Sequence, residues 1–492
     1  MQLYTLLEDN AKTSLENLEI TGLTDDSRKV QSGMVFACIR GERFDGHTAA
    51  AEALEKGAAA VLVDHDLGLG DRQILTEDTR ALYGKLCAAW FGHPERKMRF
   101  IGVTGTNGKT TITNLIKHIL TENGRKVGLI GTIQNEIGDE IVHTDNTTPF
   151  VYDLMALYAK MAEAGCDDVV MEVSSFGLVQ QRIGETHFAA AVFTNLTQDH
   201  LDYHHTFEAY FEAKARLFSK DYPAKRVICI DDKWGKELLR RCSVAEDSVV
   251  TTGFDPSAQI HPVDVQYAPT HTTVTLDVRG SLHTFDYPLV GKFNVENVMC
   301  AFGIGLQLGF PAETIVEALE EAPQIPGRLE RVSAPNTGGV SVFVDYAHTP
   351  DALEKALASI MALTPGRTVC VFGCGGDRDA SKRPIMGKAA LAADHAVVTS
   401  DNPRTEDPQA IIEDIVSGMS SGAGRFEVEA DRRAAIARAI AQAKPGDSIL
   451  IAGKGHEDYQ LVGDQVLSFD DRIVAAEELA RAFGDEPAGE DR

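Results

Sequence analysis

Short apolar runs alternating with helix-like stretches dominate the middle of the chain. RFIGVTG at 99–105, KVGLIGT at 126–132, DDVVMEVSS at 167–175 and AAAVFTNLT at 189–197 each read as a buried strand. The segments between them carry apolar residues at helical spacing, and this alternation predicts a mainly parallel sheet covered by helices. The scheme recurs further on with TVCVFGCGG at 368–376, HAVVTSDNP at 395–403 and DSILIAGKG at 447–455, which predicts a second, smaller α/β unit. The first segment is less regular. VFACI at 35–39 and AAAVLV at 58–63 read as strands, and HTAAAEALEKGA at 47–58 reads as a helix, so a small α/β unit is expected there too. Two proline-marked breaks, FGHPERKMRF at 91–100 and APQIPGRLE at 322–330, divide the chain into 1–95, 96–326 and 327–492.

One strand-to-helix junction carries chemistry. GVTGTNGKTT at 102–111 follows an apolar run and precedes a stretch in which Ile112, Leu115, Ile116, Ile119 and Leu120 recur at helical spacing until Gly124. Such a junction suits a phosphate loop. Backbone N–H groups of Gly105, Thr106, Asn107 and Gly108 can approach phosphate oxygens, Lys109 can neutralise them, Thr110 offers a hydroxyl fit for a divalent cation, and Thr111 follows it in the nucleotide-binding loop. Five residues separate Gly102 from Gly108, against four in the common pattern, so a glycine turn in a nucleotide-free fold is the competing reading.

Composition narrows the partners. The net charge is −26, which repels a phosphodiester backbone and argues against nucleic acid. Eight scattered cysteines lack paired spacing and read as reduced core residues. The N-terminus has no basic, apolar leader pattern and no apolar run reaches about 18 residues, so neither export nor a membrane span is expected and the cytoplasm is the default location. The only low-complexity stretch is the polar tail DEPAGEDR at 485–492.

Further candidates come from context. In AYFEAKARLF at 209–218, Tyr210, Phe211, Leu217 and Phe218 place Lys214 on the buried face of a helix, where an ammonium either snorkels to the surface or loses its charge. His200 and His204 have the H-x₃-H spacing of zinc helices, but Leu201 stands where a zinc protease carries its glutamate. CGGDRD, SDNPRTEDP and AGKGHEDYQ each follow an apolar run, so they should meet at the carboxyl edge of one sheet and gather Arg378, Asp401, Asn402, Pro403, Arg404, Gly453 and Glu457.

The loop form GTNGKTT, with TNLTQDHLDYH at 194–204 and DYAHTPDAL at 345–353, resembles the Mur ligase family. DSRKVQSGMVFACIRG at 26–41, EVSS at 172–175 and DNPR at 401–404 look like the branch that lengthens a UDP-linked muramoyl dipeptide by one amino acid. The resemblance implies three domains: an N-terminal one for the uridine nucleotide, a central P-loop-type ATPase, and a C-terminal Rossmann-like one for the incoming amino acid. It implies that ATP phosphorylates the D-glutamyl side-chain carboxylate of UDP-N-acetylmuramoyl-L-alanyl-D-glutamate, and that the amine of meso-2,6-diaminopimelate displaces phosphate.

The site residues implied are these. Mg²⁺ is held by Thr110, Glu172, His200 and Lys214 as a carbamate, and with Lys109 the last three form the catalytic group. Asn297, Arg328, Asp345 and His348 lie near ATP. Ser27, Arg28, His47, Thr147, Thr148, Ser174, Gln180, Arg182 and Lys214 hold the UDP-muramoyl dipeptide. Arg378 and Arg404 suit the carboxylates of diaminopimelate, and Asn402 and Glu457 its ammonium groups, with Asp401, Pro403 and Gly453 completing the site. The family's lysine-adding members generally lose the arginine of DNPR. A monomer without membrane contact is expected. One departure stands out: the family commonly has histidine after EVSS, and this chain has Phe176. A folylpolyglutamate synthetase-like ligase and a nucleotide-dependent switch without ligase activity are the competing readings.

Overall fold

The computed structural model of the chain describes every residue except 8–14, 16, 42–43, 144–145, 220–221, 223–224, 243–247, 335, 423 and 485–492. The polar tail therefore lies outside the described residues.

The central sheet has eleven strands. Its middle is parallel, with Phe188–Phe193, Arg99–Thr104, Asp168–Glu172 and Val127–Ile130 side by side and Lys225–Cys229 and Val249–Thr252 continuing beyond Phe188–Phe193. These are the runs of near-continuous apolar residues, as expected for strands covered on both faces. Both edges end in antiparallel pairs that the alternation did not foretell: Ile260–Tyr267, itself parallel to Val249–Thr252, with Thr272–Val278 and Ser281–Tyr287 on one side, and Asn135–Ile137 with Glu140–Val142 on the other. Thr272–Val278 alternates buried and half-buried positions, the mark of a strand with one face on the core.

The smaller N-terminal sheet orders Gly22–Thr24, Met34–Ala37, Ala60–Val63 and Gln73–Leu75, all parallel. The C-terminal sheet has six strands. Its parallel heart runs Ser341–Asp345, Ser448–Ala452, Thr368–Phe372, His395–Val398. A separate hairpin, Tyr459–Val462 with Gln465–Ser468, follows the loop after Ser448–Ala452. All eight cysteines are unpaired and buried.

Two devices hold the loops at the carboxyl ends of these strands. The helix Lys109–Glu122 buries Ile112, Leu115, Ile116, Ile119 and Leu120, each at most 1% exposed. Fully burying such a side chain contributes about 1.5 to 3 kcal/mol, so the stripe anchors the phosphate loop against the sheet. In the C-terminal unit the fully buried Arg432 pairs with Asp471 and donates to the carbonyls of Ser400 and Ala452 at 3.3 and 3.0 Å. Two strand ends are thereby tied to one cation. A buried ion pair is weak evidence of net stability, but removing one partner strands a charge.

Candidate active site at the seam of the central and C-terminal sheets

A cavity of about 630 Å³ opens between the two larger sheets and takes lining residues from both. That is the size of a small-molecule site. The parallel register places Thr104, Glu172 and Phe193 at one edge of the central sheet, so the loops that follow converge. Gly108 is the helix N-cap with φ +88, and a side chain there would come within 2.4 Å of Asn297 Oδ1. Glycine is required on both counts.

Lys109 folds back on its own loop, its Nζ donating to the carbonyls of Gly105 at 3.0 Å and Thr106 at 2.7 Å. Burial lowers its pKa, opposed by the charges of Glu172 and Asp199. Asn107 donates to Thr197 and, across the seam, to Asp351 at 3.2 Å. Thr110 Oγ1 accepts from Arg328, also across the seam, at 3.1 Å. Thr111 lines the cavity from the same helix.

Glu172 is 1% exposed and fixed through both oxygens: Oε1 accepts from the Thr132 N–H at 2.8 Å and Oε2 from the Thr132 hydroxyl at 3.0 Å. Gly131 lies directly beneath it, where a Cβ would stand 2.7 Å from Oε1. His200 has left-handed backbone, φ +51, and its Nε2 is 3.4 Å from Asp199 Oδ2. Desolvation is the first cause of its lowered pKa, and Lys109 and Lys214 add to it. The hydroxyl of Thr110, the carboxylates of Glu172 and Asp199 and the imidazole of His200 all line this cavity, and this mostly hard-oxygen donor set fits Mg²⁺.

Lys214 is 1% exposed and sits behind the loop, its Nζ donating to Gly105 O at 2.6 Å and lying 4.4 Å from the Tyr210 ring centroid. It does not line the cavity. Burial, then the Lys109 charge, holds its pKa well below the ordinary amine range.

Asn297, Arg328, Asp345 and His348 all line the cavity. Asn297 donates to Asn294, and Arg328 lies over the Tyr346 ring. Asp345 accepts from the N–H groups of Leu329 and Ala347, and burial pushes its carboxyl up to about 6. Thr147, Thr148, Ser174 and Arg182 line it as well. Gln180 does not, but its Oε1 accepts from Arg182 Nε at 3.0 Å and NH2 at 2.8 Å and so orients that guanidinium. Phe176 lines the cavity, its ring edge-on to His200 at 5.0 Å and tilted against Tyr203 at 4.3 Å.

The remaining candidates lie apart. Ser27, Arg28 and His47 belong to the N-terminal unit: the Ser27 carbonyl accepts from Lys56, exposed Arg28 is paired with Asp26, and buried His47 has Nδ1 2.7 Å from Asp45 Oδ1. Of the C-terminal group, only Arg378 reaches the large cavity. Asp401, Asn402, Pro403, Arg404, Gly453 and Glu457 form a second cluster. There Asn402 Nδ2 donates to Glu457 Oε2 at 2.8 Å, Arg404 NH1 to Gly376 O at 2.9 Å, and Glu406 N to Pro403 O at 3.0 Å. Gly453 lies against the Asp401 carboxylate. Burial raises the Glu457 pKa and Lys454 opposes it.

Sequence patterns alone did not single out Thr132, Asp199, Glu296, Lys355 or Lys454. Asp199 stands inside the quoted TQDH motif and was within reach. Thr132 closes the apolar run 126–132, Glu296 adjoins Asn297 and Lys454 lies within AGKGHEDYQ, but none of these three, nor Lys355, carries a pattern of its own that marks the side chain.

Sequence models of three domain families match in succession: "Mur ligase family, catalytic domain" over 19–85, "Mur ligase middle domain" over 103–305 and "Mur ligase, glutamate ligase domain" over 327–455. A UDP-N-acetylmuramoyl-L-alanyl-D-glutamate–2,6-diaminopimelate ligase of Gloeobacter violaceus is 45% identical over 491 residues, 98% of each chain. The chain belongs to the Mur ligase family. The ligase of the same name from Bacillus cereus is 42% identical over 497 residues, 99% of this chain and 100% of that one. A solved structure of a ligase with this name superposes with a TM-score of 0.71 at 32% identity, covering 98% of this chain and 99% of that one. No described helix is long and apolar enough to cross a membrane.

Proposed function

We propose that this Mur ligase joins meso-2,6-diaminopimelate to the D-glutamyl side-chain carboxylate of UDP-N-acetylmuramoyl-L-alanyl-D-glutamate, with ATP converted to ADP and phosphate. The observation that carries this is the single cavity in which the phosphate loop, Glu172, His200, Arg182 and Arg378 face one another from two sheets. Nucleotide, acceptor carboxylate and amino acid can meet there.

The chain's own groups account for the steps. Lys109 leaves its loop carbonyls for the phosphates, and the N–H groups at the start of the helix Lys109–Glu122 receive the anionic oxygens. Thr110, Glu172 and His200 would hold Mg²⁺, which would supply charge neutralisation for the transferred phosphoryl group. Arg182, fixed by Gln180 and by its 2.8 Å bond to Thr148 O, orients the muramoyl dipeptide beside Ser174 and Thr147. The carboxylate oxygen takes the phosphoryl group, and the amine then attacks the acyl carbon and expels phosphate, losing a proton. Asn297, Asp345 and His348 receive the adenosine, so nucleotide binding spans the seam.

Lys214 fits a carbamate: its depressed pKa leaves neutral amine, which adds to carbon dioxide and releases a proton. As an anion it would leave Gly105 O and turn toward the cation site. Ser27, Arg28 and His47 are assigned to the uridine end, and Arg404, Asn402 and Glu457 to the far end of diaminopimelate. The test is phosphate release by the purified chain with all three substrates and with each withheld, alongside the mass of the product. Phosphate release that ignores the amino acid would leave the switch reading standing instead.

A further inference from the structure

Lys454 is 0% exposed, and nothing in the mechanism above uses it. Its ammonium donates to Glu457 Oε2 at 3.1 Å and to Asn402 Oδ1 at 3.2 Å and lies 5.4 Å from the Tyr459 ring centroid. A wholly buried lysine must be paired to be retained in charged form, and both its oxygen partners belong to the group assigned to the amino acid.

The bonds around it settle two ambiguities. Asn402 Oδ1 accepts from Lys454 and from the Leu461 N–H at 2.9 Å, while Nδ2 donates to Glu457 Oε2 at 2.8 Å. An ammonium can only donate, so it forces the amide to present oxygen toward it and nitrogen toward Glu457. Glu457 Oε2 then takes two bonds, from Lys454 and from Asn402, and the side chain, 13% exposed, keeps Oε1 for a ligand. Gln460 Nε2, donating to Asp401 O at 2.7 Å, and Arg404 N, donating to Leu461 O at 3.0 Å, dock the hairpin over the same loop.

We infer that Lys454 is the positioning residue of the amino-acid site: it locks the Asn402 amide and one oxygen of Glu457, so that a single carboxylate oxygen is offered to the ammonium of the incoming amino acid. The inference rests on the assignment of Glu457 and Asn402 to that substrate. Without Lys454, Glu457 Oε2 loses one of its two donors and Asn402 Oδ1 keeps only the Leu461 N–H, and both losses weaken ammonium binding while leaving the nucleotide cavity untouched.

The test is steady-state phosphate release by the full chain carrying Lys454→Met, Glu457→Gln or both, with KM measured for each substrate separately. Lys454→Met is expected to raise KM for meso-diaminopimelate about tenfold or more, the scale of a lost charge-assisted bond, with the KM values for ATP and the UDP-muramoyl dipeptide within about twofold. Glu457→Gln should do the same, and the double variant should be no worse than Glu457→Gln alone, because the lysine acts through that carboxylate. Should the methionine variant fail to fold, Lys454→Gln keeps a polar group in place and is expected to show the same selective rise. If Glu457→Gln raises the amino-acid KM while neither Lys454 variant does, or if the effects multiply in the double variant, the positioning role is wrong. If Glu457→Gln itself leaves that KM unchanged, the site assignment falls and the inference with it.

Discussion

Truncating Arg404 is the sharpest test of substrate choice. Its backbone is in the left-handed region, φ +52, and is pinned on both sides, with its N–H on Leu461 O at 3.0 Å and its carbonyl receiving Gly463 N–H at 2.6 Å. Arg404→Ala therefore removes the guanidinium while the loop keeps its main-chain bonds. One of the guanidinium nitrogens, NH1, is committed to Gly376 O at 2.9 Å, which leaves the remainder of the planar fork to meet a carboxylate. Losing a charge-assisted bond costs about 1.5 to 3 kcal/mol, which is roughly tenfold to a hundredfold in kcat/KM. L-lysine lacks the distal carboxylate and cannot use the fork, so its kcat/KM should change by less than about threefold. The assay is phosphate release with meso-diaminopimelate, L-lysine, L-ornithine and L-glutamate against parent and variant. If the parent prefers lysine, or if Arg404→Ala slows diaminopimelate and lysine equally, the distal-carboxylate contact is wrong.

Lys109→Ala and Glu172→Ala should still fold and should lose ligation by at least about a hundredfold in kcat, since each removes charge stabilisation of phosphoryl transfer; near-parental turnover in either would refute the role. Lys214→Ala should be inactive and partly rescued by acetate, and mass spectrometry of the native parent should find the added carbon dioxide, which full activity in carbon-dioxide-depleted buffer would contradict. Gly131→Ala inserts a methyl 2.7 Å from Glu172 Oε1 and should lower kcat with little change in the amino-acid KM; an equal loss in both would point to general disorder of the site. Glu296 lines the nucleotide cavity and burial pushes its carboxyl up to about 7, with Asp231 adding to the shift. A raised acid pKa means that the charge is absent below pH 7 and present above it, so KM for ATP should rise between pH 6 and 8 through repulsion of the polyphosphate. Glu296→Gln should remove that component, and identical pH profiles would exclude it.

What the sequence made legible follows from how local each signal is. The strand-to-helix junction at 102–111 is contiguous, and its apolar stripe alone predicts the helix that begins at Lys109. The parallel strands are apolar throughout and so announce themselves. The antiparallel edges were harder: Ile260–Tyr267 is half exposed and Glu140–Val142 has no buried residue, so neither carries a core-facing run to find. Site support is less visible still. Thr132 holds Glu172 across forty positions of sequence, and Lys454 reaches Asn402 across fifty-two, a pairing that exists only because Ser448–Ala452 and His395–Val398 both flank Thr368–Phe372.

Position 176 shows how such support bears on chemistry. A histidine there could hydrogen-bond to substrate or to its neighbours, whereas Phe176 can only pack, and it packs its ring against His200 and Tyr203. His200 stands in left-handed backbone at the start of the short helix Leu201–His204, a region that residues other than glycine adopt uncommonly, although histidine, asparagine and aspartate do so more than most. An edge-on aromatic contact contributes about 0.5 to 1.5 kcal/mol beyond its buried area, comparable to the cost of that backbone. Phe176 therefore offers the cavity no hydrogen bond and packs against the imidazole instead, and polar contacts there fall to the groups around it. Ser175 and His204 already supply one such pair, Nε2 to Oγ at 2.9 Å, immediately behind the ring.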